Sequence, residues 1–370
     1  MKNKNYFDIP QPTPICAGTG LIALDVVING DGKIAPKLWA GGSCGNVLAI
    51  LSYLSWEAYP IARLGKDKAA NEIRTDLAQY KVKLDFVESE ENGSTPIIVQ
   101  KNSIGLDGKP THKFQFLCPN CGARLPRYKA ILIKKAQQLS DKLPKITTFY
   151  FDKVSPGAIE LANAVRARGG LVVFEPSGIG NKPLFKKALQ TCHLLKYAHD
   201  RLGQIEDLTK EVSPLLQVET LGAKGLRYRR REGDSKFKPW QMMPAFKING
   251  FRDAAGCGDW CTAGIIHLLG REGSAKLENA SEDEIKEALE FGQALAALNC
   301  YFEGARGGMY ALEKQSLKAA VEKIMLGNQT GDIISNTPSD QSSNILQYVC
   351  PSCAKPWDRT RTDSKKTVKI

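Results

Sequence analysis

The residues best placed to do chemistry form one stretch, DAAGCGD at positions 253–259, which is followed by a mostly apolar run at 260–269. Small residues and two glycines at the start of a helix would let the unpaired N–H groups of its first turn face a bound anion. Asp259 would lie beside this predicted phosphate-binding site. There its carboxylate can take the proton of an attacking hydroxyl while the N–H groups stabilise a transferring phosphoryl group. The stretch therefore predicts a base and an anion hole for phosphoryl transfer. The alternative is a tight Gly-Cys-Gly turn with Asp259 as an ordinary helix N-cap.

Two Cys-x-x-Cys pairs form a second candidate site. Cys118 and Cys121 make the first pair, Cys350 and Cys353 make the second, and each pair has a proline inside it. Two such turns can supply four thiolates to one tetrahedral zinc ion, because the cost of closing a loop grows only slowly with its length. The pairs therefore predict a structural zinc site, with a redox disulfide within each pair, or unrelated surface turns, as the alternatives. The other cysteines lie in apolar or glycine-rich segments and are expected to be mostly packing residues: Cys16, Cys44, Cys192, Cys257, Cys261 and Cys300.

Polar residues near the start of the chain are candidates for binding an acceptor. Residues 15–28 carry apolar side chains as one buried strand would, and Asp25 is the only charge in this run. Ligands of open α/β sheets gather at the carboxyl ends of the strands, so Asp25 is a substrate-binding candidate, with turn capping as the alternative. Gly41 and Gly42 allow a backbone to approach a ligand. Asn46 follows them at the start of an apolar helix, where its amide can both donate and accept hydrogen bonds.

Composition and charge bound the class of protein. With 370 residues, of which 42% are hydrophobic and 24% charged, the chain is an ordinary globular protein of one large α/β domain or two domains. Lys and Arg outnumber Asp and Glu by 51 to 39, which favours anionic partners such as nucleotides or phosphorylated metabolites. We interpret the basic run RYRRR at 227–231 as part of a solvent-exposed hairpin. We interpret the lysines near residue 366 as part of a frayed chain terminus. We therefore do not expect a nucleic-acid partner.

The sequence carries no clear targeting signal. The first apolar run is interrupted by Gly18, Gly20 and Asp25 and lacks a convincing cleavage site. No stretch reaches the roughly eighteen uncharged apolar residues that are needed to span a bilayer. We therefore expect a cytoplasmic protein with no membrane partner.

The order of the predicted elements indicates the architecture. Between residues 129 and 197, strand patterns alternate with helical patterns, which predicts a parallel sheet with helices on both faces. Short strand patterns separated by polar turns at 82–127 predict a small β insertion that covers the site as a lid. The main domain is expected at 14–325. Beyond it the chain is rich in Asn, Gln, Ser, Thr and Asp, which predicts a linker and tail at 326–370.

The order and spacing of these motifs resemble the ribokinase-like, or PfkB, family of carbohydrate and nucleoside kinases. The motifs that carry the resemblance are GG at 41–42 with Asn46, LGKD at 64–67, TLGAKG at 220–225, and DAAGCGD at 253–259 with Ala263-Gly264. The resemblance implies a three-layer α/β/α fold with a mainly parallel central sheet and a small β lid. It also implies ATP-dependent phosphoryl transfer, assisted by Mg²⁺, to a hydroxyl of a sugar, sugar derivative or nucleoside.

The resemblance further implies roles for individual residues. Asp259 is similar to the family's catalytic base, and the anion hole corresponds to Gly256, Cys257 and Gly258. The hydroxyl-binding positions of the sugar pocket correspond to Asp25, Gly41, Gly42 and Asn46. The nucleotide-binding turn corresponds to Thr220, Gly222 and Gly225. Asp253 resembles a position that, in several members, helps to bind a monovalent cation such as K⁺ beside the anion hole.

Departures from the family pattern bear on activity. Ala254 and Cys257 stand where members usually carry Thr and Ala, and both replacements keep the residue small, so the backbone geometry should survive. The segment 195–201 lies where members usually show an Asn-x-x-Glu pattern linked to Mg²⁺ and phosphate, and neither residue is present at the expected register. Asp200 or Glu175 would have to substitute, or Mg²⁺ would be held through water alone. The alternative function is a catalytically weak or inactive ligand-binding protein that engages a protein or nucleic-acid partner through its zinc tail.

The family core does not require a zinc ion, so the four cysteines would be an added structural device. If the lid region and the end of the chain shared this zinc site, the tail would fold back over the domain. Residues 326–349 would then be held at both ends and form a strap across the surface. Strand edges in the β insertion could pair between subunits, which makes the sequence compatible with a homodimer.

Overall fold

The computed structural model describes residues 6–29, 36–91, 95–105, 110–203, 205–209, 214–232, 236–327 and 349–354. Most of the predicted strap and the end of the tail lie outside these residues. The strands are β1 (Ile15–Thr19), β2 (Ala23–Asn29), β3 (Lys37–Gly41), β4 (Glu57–Pro60), β5 (Ala62–Gly65), β6 (Val87–Glu90), β7 (Ile97–Ile104), β8 (Pro110–Gln115), β9 (Thr148–Phe151), β10 (Leu171–Phe174), β11 (Leu194–Ala198), β12 (Leu216–Thr220), β13 (Leu226–Glu232), β14 (Lys236–Phe237) and β15 (Gln241–Met243). The helices are α1 (Ser43–Tyr53), α2 (Lys68–Gln79), α3 (Ile133–Ser140), α4 (Pro156–Ala167), α5 (Lys182–Thr191), α6 (His199–Leu202), α7 (Glu206–Thr209), α8 (Cys257–Leu269), α9 (Ser274–Glu278), α10 (Glu282–Asn299), α11 (Gly307–Ala311) and α12 (Lys314–Met325).

The main sheet is mostly parallel and runs in the order β14-β13-β12-β11-β10-β9-β1-β4, with β15 pairing β13. The pairs from β4 to β12 are parallel, whereas β13 joins β12 in the antiparallel direction. All four residues of β9 and of β10 are buried, as expected of parallel strands covered on both faces. The predicted fold class is therefore confirmed.

The side chains of the central strands divide between two hydrophobic clusters, one on each face of the sheet. Along β9, Phe149 and Phe151 join one cluster and Tyr150 joins the other, because successive residues of a strand point to opposite faces. The first cluster contains the buried residues of α3, α4 and α5. The second contains those of α1, α8, α10 and α12. The result is a helix–sheet–helix sandwich.

A second sheet, in the order β3-β2-β7-β8, lies beside the main one, and this corrects two sequence predictions. Residues 15–28 are not one strand, because β1 belongs to the main sheet and β2 to the second. The chain breaks at Gly20, where φ is 150° and where a Cβ atom would overlap the carboxylate of Asp152. The small sheet therefore draws two of its strands from before the predicted insertion at 82–127. Within that insertion, the first strand was expected to start at Val82. The observed strand, β6, starts at Val87 and pairs with β5 rather than with the small sheet.

The small sheet contacts the main body next to the start of α8. Trp39 stacks on Tyr310 with ring centroids 5.1 Å apart, and Lys37 Nζ lies 3.2 Å from a carboxylate oxygen of Glu303. Two side chains of β7 and β8 reach Asp253, immediately before α8. These contacts place the sheet where a lid over the site would lie.

Helix α8 is held closely against α10 by two glycines. A Cβ atom at Gly264 would lie 2.6 Å from the Cα atom of Gly292, so that any larger residue would push the helices apart. The close packing fixes α8 on the sheet, with its N-terminus at the carboxyl ends of β9, β10 and β11. Ligands of open α/β sheets bind at this edge.

Candidate active site and cysteine cluster

The N-terminus of α8 has the backbone conformation that the predicted anion hole requires. Gly256 is its N-cap with φ of 72°, and a Cβ atom there would overlap the backbone of Ala305, so only glycine fits. The N–H groups of Gly258 and Asp259 lie in the first helical turn and have no acceptor within the helix. The N–H group of Cys257, in contrast, donates to the carbonyl of Ala254 at 3.2 Å. The first turn thus presents donors at Gly258 and Asp259 rather than at Cys257.

Asp259 is the third residue of α8 and faces Asn46 on α1. Its Oδ2 atom accepts a hydrogen bond from Asn46 Nδ2 at 2.7 Å, and the residue is only 9% exposed. Burial and the nearby charge of Glu175 together raise the pKa of Asp259 to about 7, although the hydrogen bond from Asn46 acts to lower it. A carboxyl group that titrates near neutral pH suits a general base, because it is ionised when needed and still binds a proton well.

Asp25 lies in the middle of β2, opposite Trp39, and not at a strand end as the sequence suggested. Its carboxylate accepts a hydrogen bond from the N–H group of Gly42, and a Cβ atom at Gly41 would overlap it. Burial raises the pKa of Asp25 to about 7, while Arg306 and the Gly42 bond lower it. Gly42 is also the N-cap of α1, where its carbonyl accepts from the N–H group of Asn46. The four predicted acceptor-binding residues therefore come together beside Asp259.

Sequence analysis missed two further polar residues near this site, Asp152 and Tyr128. Asp152 follows β9 and is buried; its Oδ1 atom accepts from the N–H group of Leu21 at 2.8 Å, and burial raises its pKa to about 6. Within the described residues, its Oδ2 atom, Asn46 Oδ1 and the hydroxyl of Tyr128 are buried without a hydrogen-bond partner. Buried polar atoms without partners cost about 1–3 kcal/mol each, so such a group points to a polar ligand. The available signal was a single acidic residue directly after an apolar strand.

Lys196, in the segment that replaces the Asn-x-x-Glu pattern, forms a buried ion pair with Glu175 next to the first turn of α8. Lys196 on β11 is 1% exposed and donates to Glu175 and, at 3.1 Å, to the carbonyl of Gly258. The other oxygen of Glu175 accepts from Thr262 at 2.6 Å and from Tyr150 at 3.1 Å. Burial alone would lower the pKa of Lys196, but Glu175 holds it above its usual range. Both oxygens of Glu175 are therefore engaged by protein.

The two predicted substitutes lie in different surroundings. Glu175 is taken up by its three partners, and Asp200 is exposed on the short helix α6. How Mg²⁺ would be held at this site remains a prediction.

The predicted nucleotide-binding turn is a tight glycine turn between β12 and β13. Gly222 and Gly225 have φ of 59° and 96°, and Leu221 N–H closes the turn on the carbonyl of Gly225 at 2.8 Å. Thr220 ends β12, and its hydroxyl donates to the carbonyl of Tyr197 at 3.4 Å. The turn has the expected shape, and its role in binding ATP remains a prediction.

The basic run at 227–231 is part of the sheet. Arg227 and Arg229 both contact the ring of Trp240, with guanidinium carbons 4.5 and 4.3 Å from the ring centroid. Arg230 donates to backbone carbonyls, among them that of Glu278 at 2.8 Å. These partners agree with the structural interpretation of the run.

The carboxylate of Asp253 is engaged by protein groups, and its role as a potassium ligand remains a prediction. Its Oδ1 atom accepts from the N–H group of Ala255 at 2.9 Å and lies 3.1 Å from His112 Nδ1. Its Oδ2 atom accepts from Gln100 Nε2 and from the N–H group of Gly304, both at 2.9 Å. Three donors and the ring of His112 therefore surround the carboxylate. These contacts tie the small sheet to the loops around α8.

The four predicted zinc ligands come together in one cluster. The sulfur atoms of Cys118, Cys121, Cys350 and Cys353 all lie within 4.8 Å of one another. Cys118 and Cys353 are 3.7 Å apart, and Cys121 and Cys350 are 3.8 Å apart. A tetrahedral zinc ion with Zn–S bonds of about 2.3 Å requires sulfur separations of roughly 3.8 Å, so the cluster fits this metal.

The comparisons with known proteins concern the family and the fold of the chain. Residues 34–310 match the pfkB family of carbohydrate kinases. Among solved structures, the fold is similar to that of Arabidopsis thaliana ribokinase complexed with ribose and ATP, at 17% identity and a TM-score of 0.57, over 85% of this chain and 99% of that one. It is also similar to fructokinase from Vibrio cholerae O395 at 16% identity and 0.61, over 85% and 99%. A Burkholderia thailandensis nucleoside kinase in complex with inosine matches at 16% and 0.59, over 84% and 97%. No curated protein matches the chain in sequence.

The family match covers most of the chain and fits the motifs around Asp259. The chain belongs to the pfkB family of carbohydrate kinases. It is accordingly a kinase of a carbohydrate or nucleoside.

In the described residues, no helix is both long and apolar enough to cross a membrane.

Proposed function

We propose that the protein transfers the γ-phosphoryl group of ATP to a hydroxyl of a sugar, sugar derivative or nucleoside. The observation that carries the proposal is Asp259, a buried carboxylate with a pKa near 7, placed in the first turn of α8 beside unpaired backbone N–H groups. One short segment then supplies both a proton acceptor and donors for the transferring group. These are the parts that phosphoryl transfer needs.

In this proposal, the buried side chains around α1 bind and orient the acceptor. Asp25, Asn46 and Asp152 accept hydrogen bonds from its hydroxyl groups, and Asp259 takes the proton of the reacting hydroxyl. The N–H groups at the start of α8 stabilise the phosphoryl oxygens. Because Asp25, Asp152 and Asp259 are all acidic and buried, an uncharged polyhydroxyl group suits this pocket better than an anionic one.

The nucleotide would lie between the glycine turn at 220–225 and the start of α8. Mg²⁺ bound to the nucleotide would neutralise the developing charge on its phosphates. Lys196 supports this end of the site, since it holds the carbonyl of Gly258 and keeps the first turn of α8 in place.

The four-cysteine cluster is proposed as a structural zinc site. Four thiolates close the coordination shell, so no position remains for a reactive water. Cys118 and Cys350 are almost fully buried. The ion would tie residues 350–353 to the loop that follows β8.

The proposal is tested by ADP formation with ATP and Mg²⁺ against a panel of sugars, sugar derivatives and nucleosides. We expect at least one acceptor to raise ADP formation well above the acceptor-free rate, with a phosphorylated product of matching mass. An acceptor that binds, as seen by a thermal shift, without raising ADP formation would instead favour the catalytically weak ligand-binding protein.

Replacing Asp25 by Ala should raise the Michaelis constant for the acceptor far more than that for ATP. The reason is that the Asp25 carboxylate lies on β2 next to Gly42 and Asn46, away from the glycine turn at 220–225. Steady-state kinetics with each substrate varied in turn would check this. Equal effects on the two constants would remove Asp25 from the acceptor pocket.

A homodimer remains a prediction. The small sheet and the residues directly after β8 carry several exposed apolar side chains that could take part in a subunit contact: Ile104, Phe114, Phe116 and Leu117. Sedimentation at several protein concentrations would determine the oligomeric state.

A further inference from the structure

Two thiols outside the zinc cluster meet at the anion-hole loop. The sulfur atoms of Cys257 and Cys300 are 3.1 Å apart, although 43 positions separate the residues in sequence. Cys257 is the first residue of α8 and lies between the two glycines of the loop, and Cys300 is the C-cap of α10. A disulfide needs a sulfur separation of about 2.05 Å, so a relative shift of roughly 1 Å would bring the pair to bonding distance.

The backbones that carry the two thiols are already held together. The carbonyl of Cys300 accepts from the N–H group of Arg252 at 2.8 Å and, more weakly, from that of Asp253 at 3.4 Å. The side chain of Asn299 donates to the carbonyl of Ala255 at 3.0 Å. A covalent link between Cys257 and Cys300 would therefore tighten an existing contact and would not require the two helices to be rearranged.

We propose that Cys257 and Cys300 form a reversible disulfide that switches off phosphoryl transfer. With a peroxide as oxidant, one thiol is oxidised to a sulfenic acid and the peroxide leaves as water or an alcohol. The second sulfur then attacks the sulfenic sulfur, the S–S bond forms and the hydroxyl group leaves as water. The two thiols lose two electrons and two protons in total. A dithiol reductant reverses the reaction by thiol–disulfide exchange.

The accessibility of the pair suits such a reaction. Cys257 is partly exposed at the site, so a small oxidant can reach it, whereas Cys300 is buried directly behind it. The hydrogen bond to Cys300, together with burial, raises the pKa of the Cys257 thiol well above its usual range. Oxidation should therefore be slow at neutral pH and faster at higher pH, because the thiolate is the reactive form.

The expected consequence follows from the place of Cys257 in the loop. Its sulfur must move toward α10 to form the bond, which draws the first residue of α8 with it and displaces the neighbouring N–H group of Gly258. Donors of an anion hole act only when they are aimed at the developing charge, and losing one costs about a hundredfold in rate or more. This effect on turnover rests on the proposed phosphoryl transfer, but formation of the cross-link does not.

The test uses the full-length, zinc-loaded chain, treated with hydrogen peroxide and compared with the variant Cys300→Ser. After alkylation and tryptic digestion without reductant, we expect the wild type to yield peptide 253–271 linked to peptide 287–306. Fragmentation must assign the bond to Cys257, because Cys261 lies in the same peptide. We expect turnover of the wild type to fall about a hundredfold and to return with dithiothreitol, as expected for a displaced anion-hole donor.

The variant separates this effect from oxidation elsewhere, since it keeps the zinc cluster and every other cysteine. It should retain its turnover under the same treatment; Cys300→Ala serves equally if Ser is not tolerated at this buried position. Absence of the linked peptide would overturn the proposal, and so would an equal loss of turnover in wild type and variant. If the chain shows no kinase turnover at all, the linked peptide still decides whether the disulfide forms.

Discussion

The variant Asp259→Asn is expected to lose phosphoryl transfer by a factor of about a hundred or more, with little change in its affinity for ATP. An amide has the shape of the carboxylate and can still pair with Asn46, but it cannot take the proton of the acceptor hydroxyl. The rate with saturating acceptor and ATP, together with a direct measurement of ATP binding, checks both halves of the expectation.

The matched control is Asp25→Asn, which makes the same chemical change in another buried carboxylate of the pocket. Both residues are 9% exposed, and burial raises the pKa of each to about 7, so simple effects of losing a buried acid should be similar. Asp25→Asn should act mainly on the Michaelis constant of the acceptor. A similar loss of maximal rate in the two variants would mean that Asp259 has no special role in proton transfer.

The second large effect is expected for the double variant Cys350→Ser, Cys353→Ser. Removing two of four thiolates should release the metal and lower the melting temperature by several degrees, because binding energy at a structural zinc site is coupled to folding. The wild type, purified without chelator, should contain one zinc ion per chain by elemental analysis. Turnover should fall only as far as the region after β8 loses order.

The control for the double variant is Ser352→Ala, which changes an exposed residue of the same turn that is not a ligand. It should keep its zinc and its melting temperature. A metal-free wild type, or a double variant with its full zinc content, would refute the shared site and leave the two pairs as redox disulfides or plain turns.

The parts of the fold that sequence analysis predicted well are those set by local patterns. The apolar strands β9 and β10, the helix α4 between them and the glycine turn at 220–225 depend on neighbouring residues, and the alternation of strands and helices gave the correct fold class. The stretch at 253–259 gave the start of α8 for the same reason, since small residues and glycine are what its left-handed N-cap and close packing require.

The errors arose where distant segments determine the structure. Residues 15–28 look like one strand, and only contact between Gly20 and Asp152 shows why the chain leaves the main sheet. The partners of Asp253 could not be predicted either, because Gln100 and His112, which contact its oxygens, lie more than 140 positions earlier. Asp152 was missed because a single acidic residue after an apolar strand is a weak signal, and its neighbour Tyr128 is brought near it only by the fold.

The central claim, that Asp259 is the base of a phosphoryl-transfer site, is tested most directly by the single-turnover rate as a function of pH in wild type and Asp259→Asn. The pKa of Asp259 is raised to about 7, so the base is protonated and inactive below that value and ionised above it. The wild-type rate should therefore rise with pH through about 7 and then level off, while the variant should be slow and lack this rise. A variant with the wild-type rate and the same rise near pH 7 would contradict the assignment.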